Sequence, residues 1–171
     1  MKVILLGYMA SGKSTIGRLL AEEKGLKFID LDEYLEEKEE KSISDIFKDK
    51  GEIYFRLKEN EYLKELLEKK ESFVLSLGGG TPCYSSNMDV INSYNNVDCY
   101  YLKASPKTIK DRLVLQRDKR PLVASLSDEE LLEFVAKHLF ERSFYYEQAN
   151  NKVVIDDKSI PDVVIELVNS L

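Results

Sequence analysis

Residues 7 to 14 read Gly-Tyr-Met-Ala-Ser-Gly-Lys-Ser, spaced as G-x-x-x-x-G-K-[ST], directly after the apolar run Val3-Ile-Leu-Leu6. A buried strand, a glycine-containing loop and then a helix aim several backbone N–H groups at one point, at the positive end of that helix. Such a nest suits a polyphosphate. Within it, Ala10, Ser11, Gly12, Lys13, Ser14 and Thr15 are the candidate cradle. Lys13 is placed to reach the β- and γ-phosphates of a nucleotide, and the Ser14 hydroxyl to ligate Mg2+. A plain glycine turn between strand and helix would need neither the lysine nor the hydroxyl.

The rest of the chain has the periodicity this motif requires. Short apolar runs at Val3–Leu6, 27–30, 73–77, 97–102 and 153–155 alternate with amphipathic stretches. In the first of these, Ile16, Leu19 and Leu20 fall at helical spacing before Gly25. Ser159 is a candidate N-cap of the last helix, with Pro161 in its first turn. Strands alternating with helices predict a parallel sheet covered on both faces, with ligands beyond the carboxyl ends of the strands. The first three strands end in the phosphate loop, in Asp30-Leu-Asp32 and in Gly78-Gly-Gly80, so these termini converge on one crevice. Residues 32–70 form a Glu- and Lys-rich helical insert whose charges are mostly a solvated face. Residues 116–127 are polar and basic, contain Arg-Pro and lack a clean period, as a mobile loop near the phosphates would.

At 171 residues the chain suits one domain. A formal charge of -6 argues against non-specific nucleic-acid binding. No apolar run is long enough to span a bilayer, and the N-terminal run leads into the loop rather than to a signal-peptide cleavage site. A cytoplasmic protein is expected. Cys83 and Cys99 fit neither a disulfide framework nor a metal-ligand spacing and are expected to be ordinary thiols. The single histidine, His138, has no second ligand for zinc and is expected to be a surface or packing residue.

Phosphoryl transfer asks for a phosphate cradle, a metal, cations for the moving charge and something to place the acceptor hydroxyl. The third strand ends Val74-Leu-Ser-Leu-Gly, without the aspartate often found there, so Asp30 is the candidate for an outer-shell metal role and Ser76 for an added hydroxyl. Asp30-Leu-Asp32 equally suits a helix start, as cap plus first-turn acid. Three glycines in a row, Gly78, Gly79 and Gly80, are costly to order and suggest close approach of a ligand to the backbone. Only six of the 25 basic residues are arginines: Arg18, Arg56, Arg112, Arg117, Arg120 and Arg142. Arginine is favoured where a planar fork grips carboxylate or phosphate, so Arg56, Arg120 and Arg142 together suggest an anionic substrate. Arg18 fits the exposed face of the first helix.

With these segments in order, the chain resembles shikimate kinase over nearly its whole length. The resemblance rests on Gly7-Tyr-Met-Ala-Ser-Gly-Lys-Ser-Thr-Ile-Gly17, Phe28-Ile-Asp-Leu-Asp32, Ser42-Ile-Ser-Asp-Ile-Phe47, Gly51-Glu-Ile-Tyr-Phe-Arg-Leu-Lys-Glu59, Leu77-Gly-Gly-Gly80 and Arg120-Pro-Leu-Val123. It implies an α/β three-layer sandwich like the nucleoside monophosphate kinases, with five parallel strands in the order 2-3-1-4-5. It further implies one kinase domain, with a core at 1–31, 71–111 and 128–171, a substrate-binding insert near 32–70 and a lid near 112–127. The implied reaction moves the γ-phosphate of ATP to the 3-hydroxyl of shikimate, with Mg2+, on the route to chorismate and the aromatic amino acids. By the same resemblance Asp32 would hold ring hydroxyls, while Arg56, Arg142 and the backbone of Gly79 would hold the carboxylate. Phe47 and Phe55 would line the apolar side of the ring. Asp30 would lie near the metal and the reacting hydroxyl, and Arg120 would meet the phosphates from the lid. Arg112 would lie against adenine, with Arg117 close enough to compete. Either Asp30 or Asp32 could be a base. Phe144 stands where the resemblance leads one to expect a helix-bending proline after Arg142. A monomer is expected. The competing expectations are another small-molecule kinase of this fold, such as gluconate kinase, and a non-catalytic nucleotide-binding switch.

Overall fold

The computed structural model describes residues 1–84, 86–117 and 121–171, leaving aside the side chains of 121 and 122. Five strands, β1 (Lys2–Leu6), β2 (Lys27–Asp30), β3 (Phe73–Ser76), β4 (Val97–Lys103) and β5 (Asn151–Val154), form one parallel sheet in the order β2-β3-β1-β4-β5. Every residue of β1 and β3 is buried, as expected for central strands covered on both faces. The helices around the sheet are α1 (Lys13–Lys24), α2 (Leu31–Glu39), α3 (Ile43–Glu68), α4 (Asn87–Asn92), α5 (Pro106–Leu115), α6 (Pro121–Ala124), α7 (Asp128–Tyr146) and α8 (Ile160–Ser170). The α1 helix packs against α8 and the β2–β3 side, and α5 packs against α7.

Pairing places the crevice. Asp30 lies opposite Ser76, and Ser76 lies opposite Leu5. The ends of β2, β3 and β1 therefore emerge side by side, each strand about 4.8 Å from the next. After β1 the chain turns to partners on both sides, β3 and β4, which makes its carboxyl end the switch point where this class of sheet binds ligands.

Local chemistry sets the element ends. Gly25 closes α1 in the left-handed conformation (φ 64°) and returns its N–H to Ala21 and Glu22. Ser159 accepts from the Asp162 N–H while Asp162 reaches back to the Ser159 N–H, a capping box that starts α8 as expected. Ser127 and Glu130 form the same box at the start of α7, so the polar segment 116–127 ends in a designed helix start. Within that segment, Pro121–Ala124 form a short helix rather than irregular loop.

The insert is two helices, and the second is broken. At Gly51 the backbone of α3 adopts φ 81°, ψ 175°, so residues 52–68 run as a separately directed helix. No atom lies within 4 Å of where a β-carbon would sit at Gly51, so the demand for glycine there is conformational rather than steric. Glu39 accepts from the Tyr54 hydroxyl at 2.6 Å and the Tyr62 hydroxyl at 2.5 Å, and Glu65 accepts from Tyr34 at 2.7 Å; these bonds stitch α2 to the far half of α3. Substituting Gly51→Ala should cost on the order of 1–3 kcal/mol, the usual strain of a non-glycine residue in that region. Urea unfolding should then show a lower midpoint at unchanged slope.

Candidate active site

The loop after β1 folds tightly. Ala10 (φ 59°) and Gly12 (φ 93°) both take positive φ, which brings the N-terminus of α1 over the end of the strand. Lys13 lies back along this loop, donating to the carbonyls of Gly7 (2.9 Å) and Tyr8 (3.0 Å). Arg112 of α5 donates to the Ala10 carbonyl at 3.1 Å, so its guanidinium flanks the loop. Arg117 instead pairs with Asp128 at 2.7 Å, at the start of α7. Of the two arginines left open by the sequence, the structure brings Arg112 to the loop.

Asp30 divides its oxygens between two tasks. Oδ1 accepts from the backbone N–H of Asp32 (3.0 Å) and Glu33 (3.5 Å), capping α2. Oδ2 accepts from the Ser14 hydroxyl at 2.9 Å. The helix-start reading of this aspartate is what the capping bonds show, and its other oxygen faces the phosphate loop. Ser14 and Asp30 thus stand together in the wall of a cavity of about 350 Å³ that Lys13, Asp32, Ser76, Gly78, Gly79 and Gln116 also line.

Asp32, one turn into α2, faces the same cavity. Burial raises its carboxyl, and the neighbouring charges of Asp30 and Glu59 raise it further. Lys13 and Arg56 pull the other way, leaving it pushed up to about 6.

The three glycines sit beneath three charged side chains. A β-carbon at Gly78 would lie 2.9 Å from Asp32 Oδ1, at Gly79 3.3 Å from an Arg142 nitrogen, and at Gly80 2.7 Å from an Arg56 nitrogen. The sequence suggested that a ligand approaches this backbone; in the structure Asp32, Arg142 and Arg56 themselves do so. Arg56 lies on the face of Tyr84, 4.0 Å from the ring centroid, and bonds Glu59 at 2.9 Å. Glu59 is 1% exposed and takes a second bond from the Thr81 hydroxyl at 2.7 Å, so the ion pair is anchored to the turn after Gly80. The Phe47 and Phe55 rings pack at 4.6 Å beside Arg56, whose guanidinium carbon is 5.0 Å from the Phe55 ring.

Arg142 comes from α7. That helix runs unbroken to Tyr146, and Phe144 is 71% exposed on its outer side. Phenylalanine there does not deflect Arg142, which stands over Gly79 and 5.8 Å from the Tyr8 ring. The buried Tyr146 hydroxyl donates to the Gly79 carbonyl at 2.6 Å and so ties α7 to the glycine turn. Arg18 pairs with Glu33 on the exposed surface, outside the site. Arg120 lies outside the described residues. Burial pushes the Cys99 thiol up to about 12, and Cys83 is also a free thiol.

Sequence reading assigned no role to Glu59, Thr81, Tyr84 or Tyr146. Glu59 had a usable signal, since Arg56 and Glu59 are one helical turn apart. The others meet the site only through tertiary contacts.

A phosphate loop at a switch point, with Asp30 and Asp32 in its cavity and Arg56 and Arg142 over the adjoining glycine turn, has the layout of a phosphate-loop kinase. The family model for shikimate kinase matches residues 9–171. A shikimate kinase from Flavobacterium psychrophilum is 49% identical over 166 residues, 97% of this chain and 96% of that one. The crystal structure of shikimate kinase from Bacteroides thetaiotaomicron superposes with a TM-score of 0.88 at 32% identity, covering 100% of this chain and 99% of that one. Shikimate kinase from Acinetobacter baumannii in complex with shikimate gives 0.82 at 30% identity, with 99% and 91% covered. The chain belongs to the shikimate kinase family. A gluconokinase from Sinorhizobium meliloti, at 16% identity and a TM-score of 0.56, shares the fold alone.

The folded-state pKa of Asp32, about 6, lies above its ordinary 3.8. The folded protein therefore holds an extra proton between those values, and stability falls as pH rises through that window. Asp32→Asn should raise the melting temperature at pH 7.5 by roughly 2–6 °C, corresponding to about 1–2 kcal/mol after discounting for the open cavity. The gain over wild type should vanish near pH 4, as calorimetry across pH would record, while turnover falls by about 10²–10⁴.

Proposed function

We propose that this chain phosphorylates the 3-hydroxyl of shikimate with ATP, as its family membership implies, using the residues around the glycine turn. The observation that supports the assignment of roles is that Asp32, Arg142 and Arg56 close over Gly78, Gly79 and Gly80 in turn, beside the cavity that Lys13 and Asp32 line.

In this reading the loop N–H groups and Lys13 hold the phosphates, and Lys13 exchanges its two carbonyl partners for phosphate oxygens. Arg112 lies against the base, and Arg120 meets the phosphates from the lid. Arg56 and Arg142, with the Gly79 backbone, grip the acceptor carboxylate. Two guanidinium forks suit a planar anion better than two ammonium groups would. Phe47 and Phe55 cover the apolar side of the ring. Asp32 accepts from the ring hydroxyls. Its elevated pKa also suits it, rather than Asp30, to take the proton of the attacking hydroxyl, because both Asp30 oxygens are already engaged. The transition state is loose, so positioning and charge compensation supply most of the acceleration and proton loss can be late.

The donor set fits Mg2+. Among the described residues no cluster of three His, Cys, Asp or Glu side chains could cage a metal. The hydroxyl of Ser14 beside the carboxylate of Asp30 is what an ion retaining water and phosphate ligands requires. Bound there, Mg2+ would neutralise phosphate charge; Ser14 would ligate it directly and Asp30 through water.

The whole chain is read as one kinase domain, with residues 32–70 as substrate-binding insert and 112–127 as lid. It is further read as a cytoplasmic monomer with no nucleic-acid partner. No helix among the described residues is long and apolar enough to cross a membrane.

ADP release should be measured with saturating Mg-ATP and, in turn, shikimate, quinate, gluconate and AMP. Turnover with shikimate is expected, and its absence would refute the assignment. Arg142→Ala and Arg56→Ala should each weaken shikimate binding by calorimetry about 10- to 100-fold, the worth of a hydrogen bond to a charged group. ATP affinity should stay near wild type; if it falls instead, the carboxylate-binding role is wrong. Lys13→Ala should abolish turnover while shikimate binding persists.

A further inference from the structure

The lone histidine is half-buried and makes one directed contact. His138 lies one helical turn before Arg142 on α7, and its Nδ1 is 2.8 Å from the hydroxyl of Tyr8, the second residue of the phosphate loop. The two rings meet edge to face at 5.4 Å, and Phe134, a further turn back, closes on the other side of the imidazole at 5.4 Å. Tyr8 is buried, 1% exposed, and its ring also carries the Arg142 guanidinium. The phenol is thus clasped by two residues four apart on one helix face, which fixes both the rotation and the axial position of α7 at that point. Burial and the nearby Arg142 charge hold the imidazole below its ordinary pKa, against the opposing pull of Glu141. The backbone carbonyl of Tyr8 accepts from Lys13.

From this arrangement we infer that the Tyr8–His138 hydrogen bond is a positioning device for acceptor binding: it locks α7 against the phosphate loop so that Arg142 is aimed over Gly79. The inference rests on the reading of Arg142 as a carboxylate-gripping residue. It explains how a straight helix, with no proline after Arg142, presents that arginine inward. Neither residue touches the acceptor; both act through Arg142. The Tyr146 bond to Gly79 holds the same helix one turn further on, so the two anchors bracket Arg142.

The test is a set of three variants assayed for shikimate and ATP kinetics and for shikimate affinity by calorimetry. Tyr8→Phe keeps the ring beneath Arg142 and removes only the hydroxyl. It should raise the KM and Kd for shikimate roughly fivefold, the worth of one hydrogen bond, with kcat and the KM for ATP changing less than about twofold. His138→Leu should do the same. His138→Asn offers an amide, donor or acceptor, near the place of Nδ1 and should restore most of the loss. In Tyr8→Phe/His138→Leu the effects should not add, because both remove one bond. Wild-type shikimate affinity in Tyr8→Phe, additive effects in the double variant, or a change confined to ATP would each overturn the inference. If His138→Leu does not fold, Tyr8→Phe alone decides. Wild-type protein inactive on shikimate would remove the functional reading and this inference with it, whereas active wild type with an unaffected Tyr8→Phe removes only the inference.

Discussion

The site depends on an absence of side chains. At Gly78, Gly79 and Gly80 the volume that β-carbons would need is taken by Asp32 from α2, Arg142 from α7 and Arg56 from α3. Three elements that are remote in sequence can therefore bring an acid and two cations to one short stretch of backbone. A methyl group at Gly80 would meet the Arg56 guanidinium at 2.7 Å, and that arginine is held by Glu59 and Tyr84 and has little room to retreat. The parallel sheet supplies the remaining constraint. Because β3 lies between β1 and β2, the glycine turn emerges between the phosphate loop and the Asp30–Asp32 corner.

Asp30 shows how tightly the two halves of the site are joined. One carboxylate caps the helix that carries Asp32 and also receives the Ser14 hydroxyl of the phosphate loop. Asp32 itself is held at a cost: burial and two acidic neighbours make its ionised form unfavourable, and Lys13 and Arg56 offset them in part. Strain of this sort is expected where function, not stability, selects the residue.

Much of this was legible in the sequence because the relevant signals act over a few residues. The strand–loop–helix start, the cap at Ser159, the acids at positions 30 and 32, and the glycine triplet all announce themselves locally. The alternation of strands and helices implied a parallel sheet with its ligands at the carboxyl ends. Where reading failed, range was the reason. The helical insert at 32–70 carried no local sign that Gly51, at φ 81°, redirects α3, whose far half is bonded to α2. The bond between half-buried His138 and Tyr8 had no local signal, since the two lie 130 residues apart.

The sequence by itself determined the kind of ligand that the loop accepts, the class of sheet and the set of charged residues available, since motif spacing, strand periodicity and residue type are local properties. Tertiary structure alone decided which arginines lie over the glycine turn, which reaches the phosphate loop and which pairs with Asp128 instead. It also decided that Glu59, Thr81, Tyr84 and Tyr146 stand behind them. The reason is physical: the aim of a guanidinium on a long flexible stem is set by the surfaces that close around it, and those surfaces exist only once α3, α7 and the glycine turn have packed together.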